Sequence, residues 1–440
     1  MKQEFVYKYI AGLMAVNIIA ASLASCSAAS SASSASSVSS ASFASSTEAA
    51  ANTTASVSTL DKTDDTKATV TALSTADGGK LSADELFTER DLTQTADLSE
   101  ASNYTVSDGK TITITKAGVY HISGTASDAT IVVEAGSDDK VQIVLDGVSI
   151  TNTDFPCLYV KQADKVFVTL VGENTLSVTG SFTTDGDTNT DGVIFSKDDL
   201  VLNGTGSLTV SSTDNGVVCK DDLKVTGGSY TVTASSKAFE ANDSIRIADG
   251  TFTLKAGTDG LHAENDDDDT LGYLYIGGGS FTIQAGDDGI HANSLVQIDG
   301  GSFTVSAAEC IEGTYIQIND GTFALSSWDD AINAAKKSSA YSTPTVEING
   351  GDITITMSAG DTDGIDSNGD VIVNGGTINI TGNSSFDYDG SAQYNGGTII
   401  VNGEQITSIP NQMMGGGMGG RGQMGGMDNM GGFGGHGRRG

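Results

Sequence analysis

A short glycine marker recurs through the second half of this 440-residue chain. It consists of a small or polar residue and glycine, followed in most copies by serine or threonine and then by a bulky apolar residue, as in "GGSF" and "DGTF". The second glycines of the marker are Gly228, Gly250, Gly279, Gly301, Gly321, Gly351, Gly376 and Gly397, spaced by 22, 29, 22, 20, 30, 25 and 21 residues. A repeat of this length indicates a solenoid, because each unit buries its apolar face against the next.

The pattern inside one repeat identifies the kind of solenoid. In "DDGIHANSLVQIDGGSFTVSAA", the runs "GIHA", "LVQI" and "SFTV" alternate apolar and polar residues, which is typical of strands. The leucine skeleton of leucine-rich repeats is missing, and the period is far from the nine residues of calcium-binding nonapeptide repeats. We therefore predict an all-β, right-handed parallel β-helix of about 11 triangular coils.

This fold places equivalent residues of successive coils in ladders about 4.8 Å apart. One predicted core ladder consists of Tyr230, Phe252, Phe281, Phe303, Phe323, Ile353, Ile378 and Ile399. A second consists of Val225, Ile247, Ile276, Ile298, Ile318, Ile348 and Val373.

Carboxylates also recur at one point of the repeat. The predicted cation-binding residues are Asp259, Asp287, Asp288, Glu309, Asp330, Asp361, Asp363 and Asp366. Two carboxylates 5 Å apart repel by about 3 kcal/mol at an effective dielectric constant of 20, so either the side chains splay into solvent or protons or cations lie between them. Calcium suits this pattern, because it binds six to eight carboxylate and carbonyl oxygens. The alternative is a solvated corner in which Asp-Gly simply makes good turns.

Four further residues are candidate ligand-binding positions. His262 and His291 should be neighbours on successive coils, either binding a transition metal or a ligand, or facing inward with hydrogen bonds to turn carbonyls. Insertions at 265–272 and 335–344 should project from one edge, as loops that frame a binding groove often do. Trp328 and Tyr341 lie on or near these coils and would stack on sugar rings if exposed; the alternative is a buried packing role.

The ends of the chain have a different composition. Residues 1–25 read as a lipoprotein signal peptide, and "LASC" places the lipidated cysteine at Cys26. Residues 26–85, which begin with an almost pure Ser/Ala/Thr stretch, are predicted to form a disordered tether, and the Met/Gly-rich residues 411–440 a disordered tail. The solenoid then occupies residues 86–410 of an extracellular protein held on the cell surface by its lipid.

The net charge and the cysteines limit the partners and cofactors that the chain can bind. A formal net charge of -34 argues against nucleic acid as a partner, since binding it requires a basic patch. Cys157, Cys219 and Cys310 are odd in number and lack metal-binding spacing, so buried free thiols are expected.

The opening "GVYHISGTASDATIVVEAGSDDKVQIVLDGVSI" and the "DDGIHA" coils resemble a family of bacterial extracellular carbohydrate-binding β-helices. This is the clostridial cellulose- and acid-sugar-binding family, and the resemblance covers about residues 90–403. It implies a right-handed parallel β-helix, bound calcium, and binding of polygalacturonate or cellulose without demonstrated catalysis.

Three alternative functions are compatible with these features. The first is a monomeric, calcium-dependent polysaccharide binder on the bacterial surface. The second is a β-helix lyase or hydrolase, although Arg246, the one arginine between residues 181 and 410, should lie a corner away from the carboxylates. The third is a surface spacer without a specific glycan.

Overall fold

The structure is a computed structural model that describes residues 81–358 and 362–412. The signal peptide, Cys26, the tether up to residue 80, Asp361 and the tail from residue 413 lie outside the described residues. The described chain contains two one-turn helices, α1 (Ala83–Leu86) and α2 (Glu89–Leu92), and otherwise forms strands. Neither helix has the length or the apolar character needed to cross a membrane.

The strands follow one another closely along the chain. Strands β1 to β12 are Ser102–Thr105, Thr111–Ile114, Gly118–Ser127, Thr130–Glu134, Lys140–Asn152, Leu158–Gln162, Lys165–Val171, Glu173–Val178, Gly192–Ser196, Asp199–Gly204, Ser207–Ser212 and Asn215–Cys219. Strands β13 to β24 are Asp222–Val225, Ser229–Ala234, Phe239–Ala241, Ser244–Ile247, Thr251–Ala256, Leu261–Ala263, Tyr273–Ile276, Ser280–Gln284, Asp288–Ile298, Ser302–Ala307, Glu309–Ile318 and Thr322–Ser327. Strands β25 to β34 are Ile332–Ala334, Thr345–Ile348, Asp352–Met357, Asp363–Ser367, Asp370–Val373, Thr377–Thr381, Ser384–Tyr388, Ala392–Tyr394, Thr398–Val401 and Glu404–Ile406.

Parallel pairing arranges strands β7 to β33 in three stacks, which we call faces 1, 2 and 3. Face 1 contains β9, β12, β15, β18, β21, β23, β25, β28 and β31. Face 2 contains β7, β10, β13, β16, β19, the second halves of β21 and β23, then β26, β29 and β32. Face 3 contains β8, β11, β14, β17, β20, β22, β24, β27, β30 and β33. The all-β, parallel and β-helix-like character of the prediction is confirmed; the hand and the number of coils stay predictions.

The apolar residues of the repeat fill the space between the faces. Both predicted ladders run in register from strand to strand, the first on face 3 and the second on face 2. The rings of Phe252, Phe281, Phe303 and Phe323 are nearly parallel and stack with their centres 4.6 to 4.7 Å apart. The three cysteines are buried free thiols, as predicted.

Backbone geometry explains the glycine marker. Its second glycine has a positive φ in all eight copies, for example 113° at Gly301 and 126° at Gly321. A Cβ at Gly301 would also lie 3.1 Å from the carbonyl oxygen of Gly279 on the neighbouring coil. Glycine is therefore required both by the dihedral angle and by the close stacking of the turns.

An N-terminal segment, residues 81–94, covers part of face 2; we call it the strap. The backbone of Leu81 exchanges two hydrogen bonds with the Gln297 amide, of 2.6 and 3.0 Å, and Asp91 lies 2.8 Å from Lys224. Leu81, Leu86 and Phe87 are buried in one apolar cluster with tyrosines of face 2. Leu81, which the sequence assigned to the tether, is thus packed against the strand stack, while residues 82–85 are exposed.

The last described residues fold back on the stack. Strand β34 pairs antiparallel with β33, and Gln412 donates its backbone N–H to the carbonyl of Phe386 at 2.9 Å. The side chain of Asn411 donates to the carbonyl of Tyr388 at 2.7 Å. These contacts cover the exposed edges of the final strands on faces 1 and 3.

Candidate functional site

Strand register on face 1 creates a continuous polar ladder. Directly opposed positions on successive strands are Glu240, His262, His291, Glu312, Asn333, Asp366 and Asp387. Beside it runs a second column at the start of the same strands, which we call the acidic corner: Asp259, Asp288, Glu309, Asp330 and Asp363. Backbone N–H groups tie members of the corner together, since Asp288 N donates to Asp259 at 3.1 Å and Asp363 N donates to Asp330 at 2.7 Å.

The two histidines lie on the outer side of face 1. The neighbours of His262 in its strand, Leu261 and Ala263, belong to the core, so the alternation of the strand directs His262 away from it. Both imidazoles are nevertheless nearly buried, because carboxylates and loops surround them. The alternative of inward-facing histidines bonded to turn carbonyls is wrong; their partners are side chains.

Each histidine contacts the acidic corner through Nδ1. His262 Nδ1 lies 2.8 Å from Asp259 Oδ2, close enough for an ion pair although off the line of a hydrogen bond. His291 Nδ1 lies 2.7 Å from both Asp288 and Glu312. The rings of the two histidines stack at 4.6 Å with 15° between their planes.

Electrostatics at this end follow from close pairing. Burial opposes the charge of His291, but hydrogen bonds and the charges of Asp288 and Glu312 outweigh it and raise its pKa to about 10. Burial also opposes ionisation of Glu312, yet the hydrogen bond from His291 and the nearby Lys337 lower its pKa to about 2. Asp288 is the exception, since burial exceeds the effect of His291 and raises its pKa to about 6. At this end of the acidic corner, His291 and Lys337 therefore neutralise much of the negative charge of the carboxylates.

The other end of the acidic corner differs. Burial and then neighbouring carboxylates raise the pKa of Asp366 to about 7, and burial raises that of Glu309 to about 8 and that of Asp330 to about 6. Within the described ranges, neither Asp330 nor Asp366 forms an ion pair with a lysine, arginine or histidine. We call Glu309, Asp330, Asp363 and Asp366 the open end.

Three groups of side chains in the described part of the chain bring three possible metal-ligand atoms within 4.8 Å of one another. They are His262–Glu264–His291, Asp288–His291–Glu312 and Asp199–Asp221–Asp222. The open end forms no such group among the described residues, and Asp361 is outside them. Asp287 is exposed beside Asp288.

The two insertions meet at one edge, as predicted. The Ser339 backbone N–H donates to Asp269 Oδ2 at 3.0 Å, and the Ser339 hydroxyl donates to Asp269 Oδ1 at 2.8 Å. The second insertion also carries Lys337, whose Nζ lies 2.7 Å from Glu312. Sequence reasoning missed this lysine because its contact depends on how the insertion folds.

The two aromatic candidates have different environments. Trp328 is 48% exposed in the turn between β24 and β25, two residues before Asp330. Tyr341 is 5% exposed and packs on Tyr315 with the ring centres 4.8 Å apart. Trp328 can therefore offer a ring face to a sugar, whereas Tyr341 is a packing residue and its prediction as a ligand residue is wrong.

Sequence reasoning also missed Glu264 and Asn293. Each lies two residues after a histidine, so the alternation of a strand directs it to the same side. Glu264 Oε2 is 3.0 Å from His262 Nε2, and Asn293 Oδ1 is 3.3 Å from His291 Nε2. The period-two rule therefore indicates the side of the strand on which both lie.

A curated relative and a family model agree with the resemblance seen in the sequence. A "Carbohydrate-binding domain-containing protein" from Acetivibrio thermocellus is 38% identical over 123 residues, which are 27% of this chain and 43% of that protein. The chain thus matches less than half the length of this relative. A solved structure, "polysaccharide lyase-like protein from C. thermocellum, Gadolinium derivative", has 26% sequence identity and a TM-score of 0.40, covering 67% of this chain and 100% of the other. The model of the carbohydrate-binding domain-containing protein family matches residues 108–359 and 307–409, so the chain belongs to that family.

Proposed function

We propose that the chain binds acidic polysaccharide through calcium held at the open end of the acidic corner. The observation that carries this proposal is the position of Trp328, an exposed aromatic ring two residues from Asp330 in that corner. Aromatic rings stack on the apolar faces of sugars, while a bound cation attracts their carboxylates. Polygalacturonate is the model ligand, with cellulose as a neutral polysaccharide for comparison.

The open end supplies the kind of ligand that calcium uses. Glu309, Asp330, Asp363 and Asp366 offer only oxygen atoms, and they lie on neighbouring strands about 4.8 Å apart. Half-buried carboxylates at this spacing repel one another, and a divalent cation would relieve that repulsion. Asp361, outside the described residues, stays a predicted further ligand, whereas Asp259 and Asp288 are already paired with histidines.

Calcium also explains how an acidic protein would bind an acidic sugar. A cation that keeps positions free of protein oxygens can coordinate a uronate carboxylate directly. The repulsion between the chain and the polysaccharide is thereby replaced by a shared ion. Chelation should then abolish binding of uronates more completely than binding of cellulose.

A binding role is favoured over a lyase or hydrolase. Membership of a carbohydrate-binding family points to binding. Arg246 is 5% exposed and lies 2.7 Å from Asp222 on face 2, away from the acidic corner. Burial opposes the charge of Lys337, but Glu312 outweighs it and raises its pKa, which makes this lysine a poor base.

The site of action follows from the N-terminal sequence. The apolar stretch ending in "LASC" supports lipidation at Cys26 and an extracellular protein anchored to the cell surface. The Ser/Ala/Thr-rich residues that follow would separate the binding domain from the membrane. A monomer is the simplest form for this arrangement.

The test is retention of the full chain on immobilised polygalacturonate and on cellulose, with calcium and then with EGTA. We expect retention on polygalacturonate with calcium and release by EGTA, with no unsaturated or reducing-end products. The double variant Asp330→Asn/Asp366→Asn should lose calcium-dependent retention, and Trp328→Ala should weaken it about 5- to 150-fold, the cost of a binding residue worth about 1–3 kcal/mol.

Matched controls separate the site from general surface effects. Asp320→Asn removes a carboxylate from an exposed turn on another edge, and Tyr104→Ala removes an exposed aromatic ring from β1. Neither should change retention. Product formation would contradict a pure binding role, and binding that resists EGTA would contradict the calcium bridge.

A further inference from the structure

The stacked histidines form an ordered pair whose Nε2 atoms lie on the same side. His262 on β18 and His291 on β21 are directly opposed, with ring centres 4.6 Å apart. Each places Nδ1 against a carboxylate three residues earlier, Asp259 at 2.8 Å and Asp288 at 2.7 Å. With nearly parallel rings held in this way, both Nε2 atoms point to the opposite side.

Oxygen atoms meet the two Nε2 atoms on that side. Glu264 Oε2 lies 3.0 Å from His262 Nε2, and Asn293 Oδ1 lies 3.3 Å from His291 Nε2. The Asn293 amide donates to Glu264 Oε1 at 3.2 Å, which joins the two oxygen donors. Two imidazole nitrogens, one carboxylate and one amide oxygen therefore converge on one small volume.

We propose that His262, His291 and Glu264, with Asn293 beside them, bind a divalent transition metal ion of the zinc class. Two histidines and one carboxylate are a common ligand set for Zn²⁺, and imidazole favours such ions over calcium. Carboxylates at the outer nitrogens of ligating histidines fix the ring orientation and increase ligand basicity. Asp259 and Asp288 occupy these positions.

The spacing fits a four-coordinate ion after a small adjustment. Ligand atoms about 2.0–2.1 Å from Zn²⁺ in a tetrahedron are about 3.3 Å apart. The contacts from each histidine to its oxygen partner, of 3.0 and 3.3 Å, already match this separation. The two rings need only tilt toward each other, because the three ligand atoms of His262, Glu264 and His291 now lie within 4.8 Å.

Exposure gives the ion a route into the site. The Glu264 side chain is 40% exposed, while both imidazoles are nearly buried. An ion can therefore enter from the Glu264 side, where water or an added ligand reaches the remaining coordination position. This site is distinct in chemistry from the open end, where only oxygens are present, and it does not depend on polysaccharide binding.

The test is calorimetric titration of the metal-stripped full chain with Zn²⁺ in excess calcium, with visible absorption of the Co²⁺ form as a second measurement. We expect one Zn²⁺ to bind, and a Co²⁺ spectrum typical of nitrogen ligation in four-coordinate geometry. His262→Gln and His291→Gln should each abolish this binding. Asp259→Asn, which touches no ion itself, should reduce the affinity about 10- to 100-fold.

Controls and a surface variant make the test decisive. His121→Gln changes a histidine that contacts Asn103 and Asp146 elsewhere and should leave Zn²⁺ binding unchanged. If the histidine variants fail to fold by circular dichroism, the half-exposed Glu264→Gln replaces them and should weaken binding at least 10-fold. Unchanged affinity in Glu264→Gln, or no Zn²⁺ binding in excess calcium, would overturn the proposal.

Discussion

The strap depends on one buried carboxylate. Asp91 is fully buried, with Oδ2 2.8 Å from Lys224 Nζ and Oδ1 4.0 Å from Lys165 Nζ. Burial and the charge of Lys165 lower the pKa of Lys224, which indicates how crowded the cations of face 2 are. Replacing Asp91 by asparagine keeps the shape but leaves these ammonium groups without their central counter-charge.

The expected cost follows from the burial of the pair. Removing one partner of a buried ion pair costs about 3–5 kcal/mol, and Asp199, 3.5 Å from Lys165, places this case at the lower end. Because residues 81–94 form two short helices and no strand of the stack, we expect the cost to appear as local opening of this segment. About 3 kcal/mol corresponds to an increase of about 150-fold in that opening.

Hydrogen exchange followed by mass spectrometry measures this opening directly. In Asp91→Asn, peptides from residues 81–94 should exchange about 150-fold faster, while peptides from the aromatic ladder of face 3 should not change. Glu85→Gln, at an exposed position of the same strap, is the matched control and should behave like the parent chain. Exchange of the strap within about twofold of the parent would refute the reasoning that Asp91 holds it down.

Three further predictions concern the strand stack. Phe281→Ala, which removes a fully buried ring from between two others, should lower the free energy of unfolding by about 3–5 kcal/mol in urea titrations; a loss below about 1 kcal/mol would contradict its role as core. Burial and neighbouring carboxylates raise the pKa of Asp221 to about 7, so its contribution to stability is present below about pH 4 and is lost as the pH rises through 7. Asp221→Asn should therefore be about 1–2 kcal/mol more stable than the parent at pH 8 and equal to it near pH 3.5, as measured by urea unfolding, after allowance for partial solvent screening. Burial raises the pKa of Cys157 and Cys310 to about 12, so a thiol reagent should label them only after unfolding, and rapid labelling of the native chain would contradict this.

The repeat itself could be predicted because the coils from Gly228 to Gly397 carry the same local signals. Alternation of period two located the strands, and the glycine marker located a turn that only glycine adopts at a positive φ. Once the strands are stacked in register, the polar ladder from Glu240 to Asp387 follows without further information. The carboxylate columns were predictable for the same reason as the aromatic ladder.

Contacts between distant segments could not be predicted. The strap joins Leu81 to Gln297, and the second insertion brings Lys337 to Glu312, and neither contact belongs to the periodic pattern. The burial of Tyr341 could not be predicted either, because it results from packing against Tyr315. The partners of the histidines required both kinds of information, since period two gives the side of the strand but not the charge that faces it.

The way in which residues 404–412 cover the final strands affects assembly. A stack of parallel strands resembles a filament in that its last layer presents hydrogen-bonding groups to any matching strand, including one from another copy. Here β34 occupies the edge of β33, and Asn411 and Gln412 occupy carbonyls of β31. Addition of further copies at this end is thereby opposed along two of the three faces, and we expect the strand stack to resist end-to-end association.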